Sequence, residues 1–525
     1  MVTSNIKTPG VYIDDVNAFP NSVVPVATAV PAFVGYTPAA EYQGKSYLNK
    51  AQKITSFAEF QAIYMKENPP PPADPSVQYH PEYYLIESEQ QPDTGDYLTI
   101  AGRYYSVVAD SGSIYYLYNS VRWFYENGGG DAYIVSVGTH GNSTGKPGAV
   151  GTQGVNPNVK LDELQAGLSL LKNEQAPTMY ICPEATLLPV ADNGTLMQSM
   201  LLQAGEMQTA ICLFDIIGGK APDPITYTQD IEVFRNNTGS KGLKFGAAYY
   251  PFVGTTLMQT DEINYTNLCG GDLLQLQALL SPESAPNPAA EQIIAKINQN
   301  DGSMTASQYH AALLSASQTY SQIISHVLQD ANVLPPGGGM AGVYTVNDNE
   351  MGVWHAPANT PIVGAASLPI RLSDSQQENL NVDAITGKSV NAIRFFNGLG
   401  ILVWGARTLD GNSQDWRYIA VRRTMTFIEQ TCQQAIRAYA LAPNDANTWG
   451  AIKSEISSFL TGVWKEGGLQ GSQAADAFRV ECGLGTTMTS DHLLNGFLKV
   501  TVKVAVVRPA EFIVLEFEQE MGKSG

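Results

Sequence analysis

Apolar and polar positions already alternate in the first readable segment, Thr8-Pro9-Gly10-Val11-Tyr12-Ile13-Asp14-Asp15-Val16. Val11 and Ile13 alternate there with polar or amphipathic neighbours behind a Pro-Gly turn, which predicts a short strand. A second apolar run, Val23 to Tyr36, contains Pro25 and Pro31, which exclude helix and predict strands bounded by these breaks. Residues 41–100 read as a surface insertion. Pro69-Pro70-Pro71-Pro72 and the polar run Glu87 to Gly95 are loop chemistry, with a short helix near Phe57–Met65. Leu117, Val121 and Phe124 are spaced for a helix that stops at Gly128-Gly129-Gly130, and Ala132 to Val137 follows as a strand.

From Leu161 the pattern becomes helix, strand, helix, strand. Leu161, Leu164, Leu168 and Leu171 share a helical face; Thr178 to Cys182 is a strand, about Leu196–Met207 a helix, and Ala210 to Ile217 a strand. This alternation predicts an α/β layer with a mainly parallel sheet. Residues 260–340 predict helices near 290–298 and 306–330, ending at Pro335-Pro336-Gly337-Gly338-Gly339. A long helix is expected from about Trp416 to Ala442, closed by Pro443. A second follows from about Thr448, with Asn447 as N-cap, and stops at Gly467-Gly468. The chain ends in β pattern: Val500, Val502, Val504 and Val506 alternate, Pro509 interrupts, and Glu511 to Glu518 holds Phe512-Ile513-Val514-Leu515.

A length of 525 residues implies more than one domain, and 44% hydrophobic with 15% charged residues describes a folded globular chain. The net charge of −19 is uneven: residues 1–387 hold 16 Lys and Arg against 36 Asp and Glu, and residues 388–525 hold 14 against 13. An acidic bulk argues against nucleic acid or an anionic membrane as main partner. No run reaches the roughly 20 apolar residues of a membrane span. The polar Met1–Gly10 lacks the apolar stretch of a secretory signal, so synthesis in a cytoplasm is expected. Cys182, Cys212, Cys269, Cys432 and Cys482 are scattered, which predicts buried free thiols rather than disulfides or a metal site.

Catalytic signatures are sparse. Gly387-Lys388-Ser389 lacks the glycine five positions earlier that a phosphate-binding loop requires, Val382 standing there. Gly128-Gly129-Gly130-Asp131 lies between helix and strand, the wrong order for a dinucleotide fingerprint. No H-E-x-x-H occurs, and His355 beside Trp354 is a conceivable base but more simply a packed histidine. The chain is therefore read as no enzyme, with no catalytic, cofactor or metal residue. A triad assembled from distant positions of an α/β domain is the rival.

Several phrases together resemble the tail sheath proteins of contractile phages and phage-like contractile injection systems. They are Thr8-Pro9-Gly10-Val11-Tyr12-Ile13; Leu117-Tyr118-Asn119-Ser120-Val121-Arg122 with Asn127-Gly128-Gly129-Gly130; and Lys244-Phe245-Gly246-Ala247-Ala248-Tyr249-Tyr250-Pro251. Ala341-Gly342-Val343-Tyr344, Gly352-Val353-Trp354, Ala356-Pro357-Ala358-Asn359 and Asn379-Leu380-Asn381 follow. Trp404-Gly405-Ala406-Arg407-Thr408-Leu409 runs on into Trp416-Arg417-Tyr418-Ile419-Ala420-Val421-Arg422-Arg423, and Arg508-Pro509-Ala510-Glu511-Phe512-Ile513 closes the set.

The resemblance implies an α/β and α+β multidomain chain. An N-terminal arm strand would occupy 1–22, and outer α/β domains, one of them subtilisin-like in fold, 23–340, with variable insertions near 41–100 and 256–334. An inner α+β, tube-facing domain would occupy 341–505, together with the N-terminus, and a C-terminal arm strand 506–525. It further implies stacked homo-oligomeric rings of six around an inner tube, baseplate and terminal cap partners, and neither nucleic acid nor direct membrane insertion. The product would be part of a phage tail or phage-like particle assembled in a bacterial cytoplasm. Strand exchange would link subunits through Val11, Tyr12, Ile13, Val16, Glu511, Phe512, Ile513, Val514 and Leu515; pairing within the same chain is the alternative. Arg417, Arg422, Arg423 and Arg437 are candidates for the tube contact, with pairing to Asp410, Asp415 and Glu429 as the alternative.

Overall fold

The computed structural model describes residues 23–65, 81–92, 97–151, 154–299, 302 and 304–512. By their internal contacts these form two compact units: 27–423 with 509–512, and 424–508 with 23–26.

The larger unit is built on a nine-stranded sheet. Its order is Thr360–Pro361, Gly400–Trp404, Asn391–Phe396, Gly246–Tyr250, Ile211–Asp215, Met179–Ile181, Pro31–Thr37, Ala132–Thr139, Ala51–Ile54. The six strands from Asn391–Phe396 to Ala132–Thr139 are parallel, and the pairings beyond them on either side are antiparallel. Every residue of Pro31–Thr37 and Ile211–Asp215 is buried. That is the expected result when both sheet faces are covered, and it is why these segments read as continuous apolar runs. Pro361 sits on the outermost strand, where a missing N–H costs no ladder bond. The alternation of helix and strand from Leu161 onward thus does form a mainly parallel sheet.

Two stretches differ from their sequence reading. Residues 41–100, read as a surface insertion with a short helix near Phe57–Met65, hold that helix at Phe57–Tyr64 but also supply the edge strand Ala51–Ile54 and two strands, Tyr83–Ser88 and Leu98–Ile100, that pair with Arg103–Ala109. Phe60, Tyr64 and Tyr83 are fully buried in the core, so aromatic burial overrides the loop composition around them. Pro69–Pro72 lie outside the described residues.

The second stretch is Gly337-Gly338-Gly339, which ends no element. It opens the helix Gly337–Met351, buried from Gly337 through Thr345. A Cβ on Gly338 would stand 2.6 Å from Ser120 Cα, and one on Gly342 2.9 Å from the Phe124 carbonyl oxygen. The glycines let this helix pack backbone to backbone on Leu117–Glu126, which outweighs their poor helix propensity.

In the smaller unit the helix Ala446–Lys465 turns Ile452, Ile456, Leu460 and Val463 inward, as their spacing predicts. Its N-cap is Asp445, which accepts from Thr448 N at 2.9 Å, and not Asn447. The helix before it is Ile419–Arg437, shorter at both ends than expected, and the division between units falls after Arg423. Phe427 and Phe459 meet edge to face at 5.6 Å, and Tyr439 donates to Glu455 at 2.9 Å. All five cysteines are buried and unpaired, as their scatter suggested.

Candidate assembly site

Strands Phe478–Cys482 and Val500–Val504 form a two-stranded antiparallel sheet in the smaller unit, with five residue pairs in register. Alternation puts Phe478, Val480, Cys482, Val500, Val502 and Val504 on one face. Arg479, Glu481 and Lys503 share the other, where Glu481 pairs with both cations. Helix Ala446–Lys465 packs on Phe478–Cys482. Among the described residues neither strand pairs with a further strand on its outer edge. A two-stranded ribbon is marginal alone, and an open edge offers a row of N–H and C=O groups to another strand.

Of the residues expected to link subunits, Val11, Tyr12, Ile13, Val16, Ile513, Val514 and Leu515 lie outside the described residues. Glu511 and Phe512 are described, and they differ sharply: Phe512 is 72% exposed, whereas the Glu511 side chain is 19% exposed and engaged within its own chain. Its Oε1 accepts from Arg407 Nε and Asn381 Nδ2, both at 2.8 Å. Its Oε2 accepts from Arg407 Nη2 at 2.7 Å and from the Tyr418 hydroxyl at 3.0 Å.

The socket for this carboxylate is over-determined. Asn391, wholly buried, brackets Arg407: its Oδ1 accepts from Arg407 N at 2.8 Å and its Nδ2 donates to Arg407 O at 2.9 Å. Arg407 Nη1 donates to Gly411 O, and an antiparallel bridge from Arg407 to Tyr418 brings the tyrosine alongside. Gly405 permits the approach, since a Cβ there would stand 2.8 Å from Asn391 Cα. Burial raises the Glu511 pKa, but the bonds from Arg407, Asn381 and Tyr418 outweigh it and hold the carboxyl below its usual value. Four of the phrases that carry the family resemblance, separated by up to 130 positions, therefore converge on one carboxylate. Sequence spacing gave no sign of this convergence.

The four arginines considered for a tube contact are placed differently. Arg423 is buried, forms a bidentate pair with Asp348 at 2.6 and 2.8 Å, donates to Thr28 O and lies over the Tyr344 ring. Arg422 is buried over the Trp416 and Phe245 rings, at 4.4 and 5.1 Å. Arg417 is half-buried and donates to Ser413 O, and Arg437 is exposed. His355 is exposed and meets Asn347 Oδ1 through Nδ1 at 3.0 Å. Lys388, of the loop weighed for phosphate, donates to the Arg235 carbonyl. Among the described residues no group of three or more His, Cys, Asp and Glu is arranged for a metal ion, and no helix is long and apolar enough to cross a membrane.

Residues 412–520 match the family model of the phage tail sheath C-terminal domain. The tail sheath protein of Vibrio phage KVP40 is 26% identical over 187 residues, which cover 35% of this chain and 26% of that protein; the match thus spans about a quarter of this relative's length. Over nearly the whole chain the fold is similar to a chain of the anti-feeding prophage baseplate (TM-score 0.57, 23% identity, 98% of this chain and 100% of that one). It is also similar to the PVC extracellular contractile injection system sheath in the contracted state (TM-score 0.56, 22% identity, 99% of each chain). The contracted helical sheath of the anti-feeding prophage follows closely (TM-score 0.55, 23% identity, 98% and 100%). The resemblance seen in the sequence to contractile tail sheath proteins is borne out.

Proposed function

We propose that this relative of the phage tail sheath proteins is the repeating subunit of a helical sheath that surrounds an inner tube and, by contracting, drives it through a target envelope. The observation that carries this reading is the open-edged two-stranded sheet in the unit that holds most of the sheath C-terminal domain. Residues 11–16 and 512–518 of neighbouring copies supply the strands that complete it, while Glu511 stays bound within its own chain. Main-chain bonds give affinity, and alternate side chains such as Val11 and Ile13 enter the apolar face. Such head-to-tail contacts are heterologous and generate open helical arrays. The rings hold six copies, and baseplate and cap proteins close the ends.

The domain plan proposed is a 1–22 arm, outer domains over 23–340 (one of them subtilisin-like), an inner domain over 341–505 and a 506–525 arm. The inner domain faces the tube and contacts it through weak ion pairs in the region of Arg417, Arg422, Arg423 and Arg437. Arg437, the exposed one, is the residue to reverse first, because Arg422 and Arg423 also hold the fold together. Assembly takes place in a bacterial cytoplasm, and the particle is a phage tail or a phage-like device. No catalysis is assigned to the chain; the relatives it matches are sheath proteins.

Removal of residues 1–16 or of 513–525 tests the proposal. Each truncated chain is expected to stay soluble and folded by circular dichroism yet to form no cylinders in electron micrographs. Normal contractile cylinders from either one would refute the linkage.

A further inference from the structure

The carboxylate of Glu511 sits where the chain passes from a fully tied-down segment to an exposed one. The chain leaves the smaller unit at Arg508 and rejoins the larger at Pro509. Two residues later the side chain of Glu511 takes four hydrogen bonds from Arg407, Asn381 and Tyr418, and the next residue, Phe512, is open to solvent. The donors come from three different parts of the larger unit. Arg407 is 4% exposed and is itself held by Asn391 and Gly411, so its position does not depend on Glu511 alone. A lone surface ion pair contributes little, but a half-buried bidentate pair with two added donors is a strong, directional fixture.

We infer that this socket is the anchor of the C-terminal arm: it fixes the point from which residues 512–525 depart and takes the pull exerted on them when the sheath contracts. The inference rests on the linkage proposed above. An arm fixed at Glu511 reaches its neighbour with the residues from 512 onward alone. Released back to Arg508 it would gain roughly 10 Å of slack. Tension would then fall on Val500–Val504, whose five pairs with Phe478–Cys482 can be peeled one after another. With the socket filled, the pull ends in the larger unit before it reaches that ribbon. Arg407, Asn381 and Tyr418 are thus positioning residues for the exchanged strand.

The test uses full-length chains carrying Glu511→Gln or Arg407→Gln, assembled with tube and baseplate. The monomers are expected to melt at a lower temperature but to stay folded under assay conditions and to give wild-type yields of extended cylinders, while triggered contraction leaves several-fold fewer intact cylinders in micrographs. Tyr418→Phe, which removes a single bond and keeps the packing, should give the same defect in smaller measure, and covers the case in which a polar variant fails to fold. Intact contracted cylinders in well-folded variants would overturn the anchor. So would loss of extended cylinders from folded variants, because the socket would then serve docking and not retention. Either result leaves the linkage itself to the truncation without residues 513–525, which keeps Glu511.

Discussion

Glu184 shows how a single residue can make stability depend on pH. It is fully buried, and its Oε1 accepts from Tyr116 N and Leu117 N at 3.2 and 2.8 Å, at the start of the helix Leu117–Glu126, while Oε2 has no partner. Burial pushes its carboxyl up to about 8, against the pull of the Leu117 and Tyr116 amides. Between the ordinary value of 4.5 and about 8 the folded chain therefore keeps a proton that the unfolded chain has released. Stability falls as pH rises through that window. Glu184→Gln preserves the acceptor and cannot ionise, so it should remove a decline on the order of a few kcal/mol. Urea unfolding at pH 5 and pH 8 measures this, and equal slopes in both proteins would mean that Glu184 is ionised in the fold. Part of the decline should persist in the variant, because Asp215, buried against the Gly337 amide, is pushed up to about 7. At this scale the sequence was least legible. Glu184 stands in no motif, Glu511 stands in a phrase that says nothing of its partners, and the groups that define them lie 67 to 130 positions away.

Elements were legible wherever one face is buried and the other wet, because there period and packing agree. Ile452, Ile456, Leu460 and Val463 announce their helix, and the parallel strands announce themselves as apolar runs. Legibility failed where packing overrides local preference. Glycines at 337–339 look like a terminus and are a contact surface; Arg422 and Arg423 look like a solvated charge run and are buried against aromatic rings. The partner of Arg423 is Asp348, 75 positions away, and none of the neighbouring carboxylates. Two glycine substitutions separate the effects. Gly338→Ala gains about 1 kcal/mol of helix propensity but drives a methyl group into Ser120, so a net loss of roughly 1–3 kcal/mol is expected. Gly450→Ala, inside Ala446–Lys465 with nothing within 4 Å, should instead stabilise by up to about 1 kcal/mol. Denaturant midpoints read both, and a stabilised Gly338→Ala would show that the two helices have room to part. Asp348→Ala strands the Arg423 guanidinium without its carboxylate and should cost about 3–5 kcal/mol.

At the scale of the whole molecule, the order of the family phrases along the chain was readable, but their convergence was not. The charge balance changes near residue 387 whereas the contact units change after Arg423, since charge reports surface and contact reports packing. The proposed machine needs no hydrolysable cofactor if the extended lattice packs its subunits less favourably than the contracted one. Strand-linked subunits then move as rigid bodies between two arrangements of the same contacts, and the difference in packing free energy drives the tube. This has a thermal signature. Extended cylinders, assembled on tube and baseplate and heated slowly, should contract in a single irreversible step below the temperature at which the subunit unfolds. Calorimetry should register an event there that contracted cylinders lack, and the two samples should then unfold alike. If cooling or dilution returns contracted cylinders to the extended form, the lattices differ too little for packing to be the energy source, and a contribution from tube or baseplate would have to replace it.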